Sequence, residues 1–201
     1  MHGFCKNYAE RQFSVVIFRC LTFKPFITMN RTLNLLMLAT VFLGTTSFYT
    51  ALYSKSNYYM VVNKTDLELK VYDNEGWLIT YPIVLGNDNI GDKLYEGDRK
   101  TPEGTFTLVS KKVHSKWCRY MGIDYPTGAD IQKFNERKQE GIIPRDAKIG
   151  GGIGIHGTWP HEEFAIDKYQ NWTQGCVSLK NDHIKELYEL VPVGTRVTIQ
   201  E

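Results

Sequence analysis

The chain has 201 residues, with 24 Lys and Arg against 22 Asp and Glu and a formal net charge of +2, a balance that leaves no electrostatic footprint for a nucleic-acid partner. That length suits one domain with a short appendage. The four cysteines, Cys5, Cys20, Cys118 and Cys176, are too few and too unevenly spaced for a disulfide scaffold, and without a CxxC pair they carry no zinc signature.

The one long apolar tract without charge runs over 33–53 (LNLLMLATVFLGTTSFYTALY), with Arg31 just before it and Met29 two residues upstream of that arginine. A positive start, an apolar centre and small residues after it have the pattern of a secretory signal, while the full length also suffices for an uncleaved membrane anchor. Thr50-Ala51 is a weak cleavage signal, so both readings stay open. A buried core helix is disfavoured, because such helices are usually shorter than ~18 apolar residues. Residues 1–28 show no clear pattern, and a start at Met29 makes a tidier signal. The chain therefore divides into an N-terminal extension over 1–28, a signal peptide or membrane anchor over 29–54, and a folded domain over 58–201. Export to the periplasm or cell envelope is expected, with membrane contact through the N-terminal segment where it stays uncleaved.

From Tyr58 the hydrophobic period is two. Tyr59 to Val62 is an apolar strand, Leu67 to Tyr72 alternates apolar with polar residues, and Asp73-Asn74-Glu75-Gly76 is turn chemistry, so a hairpin is expected. Leu78 to Leu85 reads as a third strand, with Pro82 marking an edge position or a bulge. The polar run from Gly86 to Lys100 is a loop, and Thr105 to Ser110 is a fourth strand after the Pro102/Gly104 turn. Lys111 to Gly152 resists a strand reading. It is expected to be an insertion with one short helix over Ala129 to Gln139, capped by Asp130 or Thr127 and stopped by Gly141; connections longer than ~15 residues tend to be functional or disordered. Trp117 in it serves an aromatic substrate platform or core packing equally well.

Gly152 to Ile155 then forms a buried strand that His156 closes, since glycine alternates with isoleucine and lets another backbone come close. Cys176 stands in Thr173-Gln174-Gly175-Cys176-Val177, where the glycine permits a tight turn and backbone N–H groups are free to face an oxyanion. Asn181 is expected to cap a helix from Asp182 to Leu190, with Ile184, Leu187 and Leu190 on one face, and Arg196 to Ile199 is a last strand. The fold class expected is mainly β, a sandwich or partly closed barrel of short strands with a lid-like helical insertion and one C-terminal helix.

One histidine and one cysteine at the edges of two apolar runs point to a base and a nucleophile. A thiol attacks as thiolate, and its ordinary pKa of about 8.5 calls for a proton acceptor in reach. The competing reading is an inert core thiol, the commoner fate of a lone cysteine. A metal role for His156, His161 and His183 is disfavoured, because a closed zinc site needs about four matched ligands; no cofactor is expected.

The order His156, sixteen residues, then Thr173-x-Gly175-Cys176 resembles the signature of the YkuD-type L,D-transpeptidases, the ErfK/YbiS/YcfS/YnhG family. Lys100-Thr101-Pro102-Glu103-Gly104-Thr105-Phe106 resembles the family's tPxGxF segment, Tyr81 to Gly86 the strand before it, and Asn181 to Ile199 its closing helix and strand. Tyr125-Pro126 with Gly150-Gly151-Gly152 resembles a YafK-like branch of the family, and in some family members a segment in this place lies over the active site. The commoner pattern is Ser-His-Gly-Cys, a hydrophobic residue and Arg, whereas Gln174 and Ser178 stand in the His and Arg places. Gln174 can exchange hydrogen bonds but carries no charge, and the missing arginine removes a bidentate carboxylate contact.

The resemblance implies a catalytic domain over 58–201 that transfers acyl groups between peptidoglycan stem peptides through a Cys176 thioester. It implies His156 as base, the Gly157 carbonyl as its anchor, and Gly175 and Cys176 N–H groups as the oxyanion hole. Thr173, Gln174, Ser178 and Tyr125 are the implied substrate contacts, and a wall-linked protein is a further partner suggested by the YafK-like features. Three alternatives remain: a hydrolase or amidase of the same fold, a non-catalytic wall-binding domain, and a cysteine peptidase of ordinary proteins. Retention of both His156 and Cys176 argues against the second, and the absence of papain-type sequence around the cysteine argues against the last.

Overall fold

The computed structural model describes residues 57–89 and 91–201; the divisions at 1–28 and 29–54, with the apolar tract, lie outside the described residues. No helix among the described residues is long and apolar enough to cross a membrane. In chain order the elements are β1 (Tyr59–Asn63), β2 (Glu68–Asp73), β3 (Gly76–Pro82), β4 (Gly104–His114), β5 (Cys118–Ile123), α1 (Gly128–Gln139), β6 (Gly154–His156), α2 (Phe164–Asp167), β7 (Val177–Ser178), α3 (Asn181–Leu190) and β8 (Arg196–Gln200).

The fold is mainly β. All eight strands belong to one mixed sheet in the order β3-β2-β1-β8-β4-β5-β6-β7. β4 serves both halves: Gly104 to Thr107 pairs with β8, and Leu108 to His114 pairs with β5, with an irregularity between Leu108 and Ser110 where the strand changes partner. The sheet stays open, but Val84 bridges Ser178 in β7, which ties the chain leaving one edge strand to the opposite edge and gives the partly closed form expected. Met60, Val62, Leu69, Val71, Leu108, Met121, Ile155 and Val177 fill the space between the halves, and Ile184 and Leu187 of α3 join them. Each such side chain contributes about 1.5–3 kcal/mol by leaving water.

The Asp73–Gly76 hairpin forms as read: the Asp73 carboxylate accepts from the Glu75 N–H at 2.8 Å, and Gly76 takes φ +123°. β3 stops at Pro82 rather than Leu85, because proline offers no N–H to a ladder. The largest correction lies at 111–123. β4 continues to His114 and turns back as β5, so the first third of the expected insertion is a hairpin. No turn signal marks it in the sequence, since Cys118 itself takes the left-handed φ of +59° and His114 Nδ1 accepts from the N–H groups of Lys116 and Trp117, both at 3.2 Å.

α1 begins at Thr127 with a full capping box: the Thr127 hydroxyl accepts from the Asp130 N–H, and the Asp130 carboxylate accepts from the Thr127 N–H. Arg137 fastens the helix to the loop before β4, donating to Asp92 and to the Lys93 carbonyl, each at 2.8 Å. Asn181 does not cap α3. It is the first helical residue; its side-chain oxygen accepts from the Thr158 N–H at 3.1 Å, and its own N–H is satisfied by the Glu163 carboxylate at 2.8 Å.

Candidate active site

β6 and β7 run parallel, with Ile155 opposite Val177 and His156 opposite Ser178. The apolar pair fills the core, so the alternate positions, His156 with Ser178 and Cys176, share the other face. Strand spacing and rise put the His156 and Cys176 Cα atoms about 8 Å apart, close enough for an imidazole and a thiol to converge. The register thus brings together residues twenty apart in the chain.

His156 is 1% exposed. Its Nδ1 lies 2.7 Å from the Gly157 carbonyl, which can only accept; Nδ1 therefore carries the proton and Nε2 is the open acceptor. Trp117 stacks on the ring at 4.5 Å, Trp172 meets it edge-on at 5.5 Å and Tyr120 lies beyond at 6.4 Å. Burial in this aromatic box lowers the imidazole pKa to about 4; the Gly157 carbonyl opposes the shift and His114 adds to it. Gly157 has no space for a side chain, because a Cβ there would stand 2.3 Å from Asn181 Oδ1 and 2.8 Å from the Trp117 carbonyl. The peptide that anchors the histidine is thereby clamped between β5 and α3.

Cys176 leaves a turn organised by Thr173, which is 3% exposed. The Thr173 hydroxyl donates to the Cys176 carbonyl at 2.7 Å and accepts from the Gly175 N–H at 3.1 Å. Gly175 takes φ +121°, and a Cβ there would stand 2.6 Å from the Lys100 carbonyl, so the turn is pressed against the segment that leads into β4. The thiol faces the Gly152 carbonyl at 3.6 Å. Burial pushes it above the ordinary thiol range, against the Gly154 N–H and the Lys93 ammonium, which pull it down. Tyr120 donates to the same Gly152 carbonyl at 2.9 Å, and burial together with the nearby cysteine pushes its phenol up to about 12. Thiol and imidazole are both held neutral near pH 7.

The residues expected to touch substrate are divided by the structure. Gln174 is exposed at the tip of the turn, and Thr173 is buried behind it. Ser178 is fully buried, with its hydroxyl donating to the Gly157 carbonyl at 3.3 Å. Tyr125 is 7% exposed; it packs edge-on against Phe106 and donates to the Ile149 carbonyl at 3.5 Å. Ser178 and Tyr125 are thus spent on the interior, and Gly175 commits its N–H to Thr173 rather than to an oxyanion. Among the described residues no His, Cys, Asp and Glu side chains gather as a metal-binding group. His183 is half-buried, with its ring 5.3 Å from that of Tyr81.

Trp172 and Tyr120 had no signal in the sequence. Tyr120 lies on the unrecognised β5, and Trp172 gains its place only when its N–H and that of Thr173 bond the Leu85 carbonyl at 3.0 and 3.1 Å. The strand and loop after Pro82 thereby hold the nucleophile turn from below.

The L,D-transpeptidase catalytic domain family, YkuD, matches residues 57–199. YqjB of Bacillus subtilis (strain 168), which carries the L,D-transpeptidase name, is 30% identical over 148 residues, covering 71% of each chain. The protein named "Probable L,D-transpeptidase YcfS" of Escherichia coli (strain K12) is 30% identical over 150 residues, covering 70% of this chain but 43% of the relative. The crystal structure of Pgp2 from Campylobacter jejuni, named a helical cell shape determining protein, superposes with a TM-score of 0.56 at 27% identity, over 74% of this chain and 49% of that one. The chain thus spans less than half the length of the latter two. With the match running from before β1 into β8 and including both His156 and Cys176, the chain belongs to the YkuD family of L,D-transpeptidase catalytic domains.

Proposed function

We propose that this chain transfers acyl groups between peptidoglycan stem peptides outside the cytoplasm, with Cys176 as nucleophile and His156 as its base. The observation that carries the reading is the state of His156: a buried, neutral imidazole whose Nδ1–H is held by Gly157, leaving Nε2 open on the face it shares with Cys176. The sulfur attacks the peptide carbonyl at an L-configured centre while Nε2 takes the thiol proton, so a C–S bond forms as the carbonyl becomes an oxyanion. With the Gly175 N–H occupied, the Cys176 N–H is the donor left in the turn to meet that oxyanion. Collapse breaks the C–N bond, and the imidazolium returns its proton to the departing amine. Burial makes this cation a strong acid, which speeds the return.

The resulting thioester is open to two acceptors. An amine of a second stem peptide gives a cross-link, and water gives hydrolysis. A wall-linked protein as the partner and cell shape as the outcome are extensions drawn from the YafK-like features and from the likeness to Pgp2. The test is incubation of the chain with purified peptidoglycan fragments, with mass analysis of the products and of the protein. An adduct on Cys176 with cross-linked or shortened peptides is expected; fragments left unchanged, with no adduct, overturn the proposal.

A further inference from the structure

We propose that Arg99 binds the free terminal carboxylate of the donor stem peptide beside the Cys176 turn; this rests on the acyl-transfer reading above. Arg99 lies in the loop before β4 and reaches across to the turn, where its Nε donates to the Thr173 carbonyl at 3.3 Å. That bond uses one edge of the guanidinium. The two Nη groups make no hydrogen bond or ion pair with any described residue, although the residue is half-buried. A guanidinium tethered at Nε and open at Nη1 and Nη2 presents the planar fork that receives a carboxylate bidentately.

The backbone supports the same reading. Arg99 takes φ +59°, a left-handed conformation that costs an ordinary residue roughly 1–2 kcal/mol and that Gly or Asn would occupy more easily. The Asp98 carboxylate imposes it, accepting from Leu94 N–H at 2.6 Å, Lys100 N–H at 2.9 Å, Tyr95 N–H at 3.2 Å and Lys93 Nζ at 2.7 Å, while Asn87 donates to the Asp98 carbonyl at 2.8 Å. A buried hub thus holds a long cationic side chain in a strained place that aims it at the nucleophile turn.

Of the other cations of this loop, Lys93 is buried and paired with Asp98, and the Lys100 ammonium lies beside Gly91 without a tether to the Thr173 carbonyl. A terminal carboxylate lies one peptide unit, about 3.8 Å between Cα atoms, past the scissile carbonyl, and Thr173 touches Cys176 through its hydroxyl. The carboxylate and the attacked carbon are therefore spanned by one turn.

The test uses a stem tetrapeptide with a free terminal carboxylate and the same peptide as its terminal carboxamide. Binding is measured by calorimetry to Cys176→Ala and to Cys176→Ala/Arg99→Gln, and turnover is measured with the unsubstituted chain, Arg99→Gln and Arg99→Lys. Arg99→Gln is expected to weaken binding and raise KM for the free acid roughly tenfold to a hundredfold, to change kcat little, and to leave the carboxamide within about twofold; Arg99→Lys should recover part of the loss, as a point charge without the fork. Equal losses on both peptides would make Arg99 a structural support of the turn, and no loss on either would remove it from the site; both results overturn this inference and leave the acyl-transfer reading standing. Failure of the unsubstituted chain and of Cys176→Ala to turn over or bind either peptide would overturn both.

Discussion

Replacing His156 with glutamine separates its burial from its chemistry. The amide can keep a donor on the Gly157 carbonyl and fills similar space among Trp117, Trp172 and Tyr120, but it has no proton to gain. In the folded chain the imidazole pKa falls from 6.5 to about 4, and at about 1.4 kcal/mol per pH unit the imidazolium is disfavoured by roughly 3 kcal/mol. The group is 1% exposed, so solvent screening removes little of this. The unfolded chain binds the proton first as pH falls; stability from the neutral ring is full above about 6.5 and is lost progressively down to about pH 4. Between about pH 7 and pH 4.5 the unsubstituted chain should therefore lose roughly 2–3 kcal/mol more than His156→Gln. Other titrating groups, including His183 and the carboxylates, are common to both chains and cancel. Paired urea unfolding curves at the two pH values measure the difference. Equal pH dependence in the two proteins would refute the buried, neutral histidine. On stem peptide, the same substitution should lower kcat/KM on the order of a hundredfold or more, as expected for loss of a general base.

Cys176 should react slowly with iodoacetamide near neutral pH and accelerate only above about pH 9, since burial raises the thiol pKa; a fast rate that persists to about pH 5 would mean a preformed thiolate–imidazolium pair. Gly175→Ala places a Cβ 2.6 Å from the Lys100 carbonyl at φ +121° and should destabilise the chain by about 3 kcal/mol or force the turn apart, seen as a lower Tm with loss of Cys176 reactivity toward peptide; an unchanged Tm contradicts the packing described. Asp98→Asn strands Lys93, whose side chain is 3% exposed, and should cost about 3 kcal/mol. Burial raises the Asp98 carboxyl, but Lys93 and the N–H groups of Leu94, Lys100 and Tyr95 more than offset this and hold it below the usual range; its contribution is present at neutral pH and fades as pH falls through that lowered value, so Asp98→Asn should narrow its stability deficit in acid.

Much of the site was readable from local chemistry. A glycine before Cys176, the glycine-alternating run before His156, the Asp73–Gly76 turn and a helix cap at Thr127 or Asp130 are all short-range signals. Each depends on side chains within a few residues, so composition and spacing suffice to read them. What escaped depends on unusual local backbone geometry or on partners far along the chain. β5 was missed because its turn uses Cys118, not glycine or asparagine, at φ +59°, and with β5 went Tyr120. Trp172 packs on His156 only because the chain after Pro82 receives its N–H. Ser178 looked like a substrate contact until the parallel pairing of β6 and β7 buried it against Gly157. The Gly175 N–H was lost to a local partner, the Thr173 hydroxyl two residues before it, which residue types alone do not reveal because the turn geometry decides the bond. Residue types, their order and the nearest turns were determined by the sequence alone; which face each residue shares and which side chains are buried were decided by long-range strand register, because the energy that sets register comes from burial and cross-strand bonding that no local window contains.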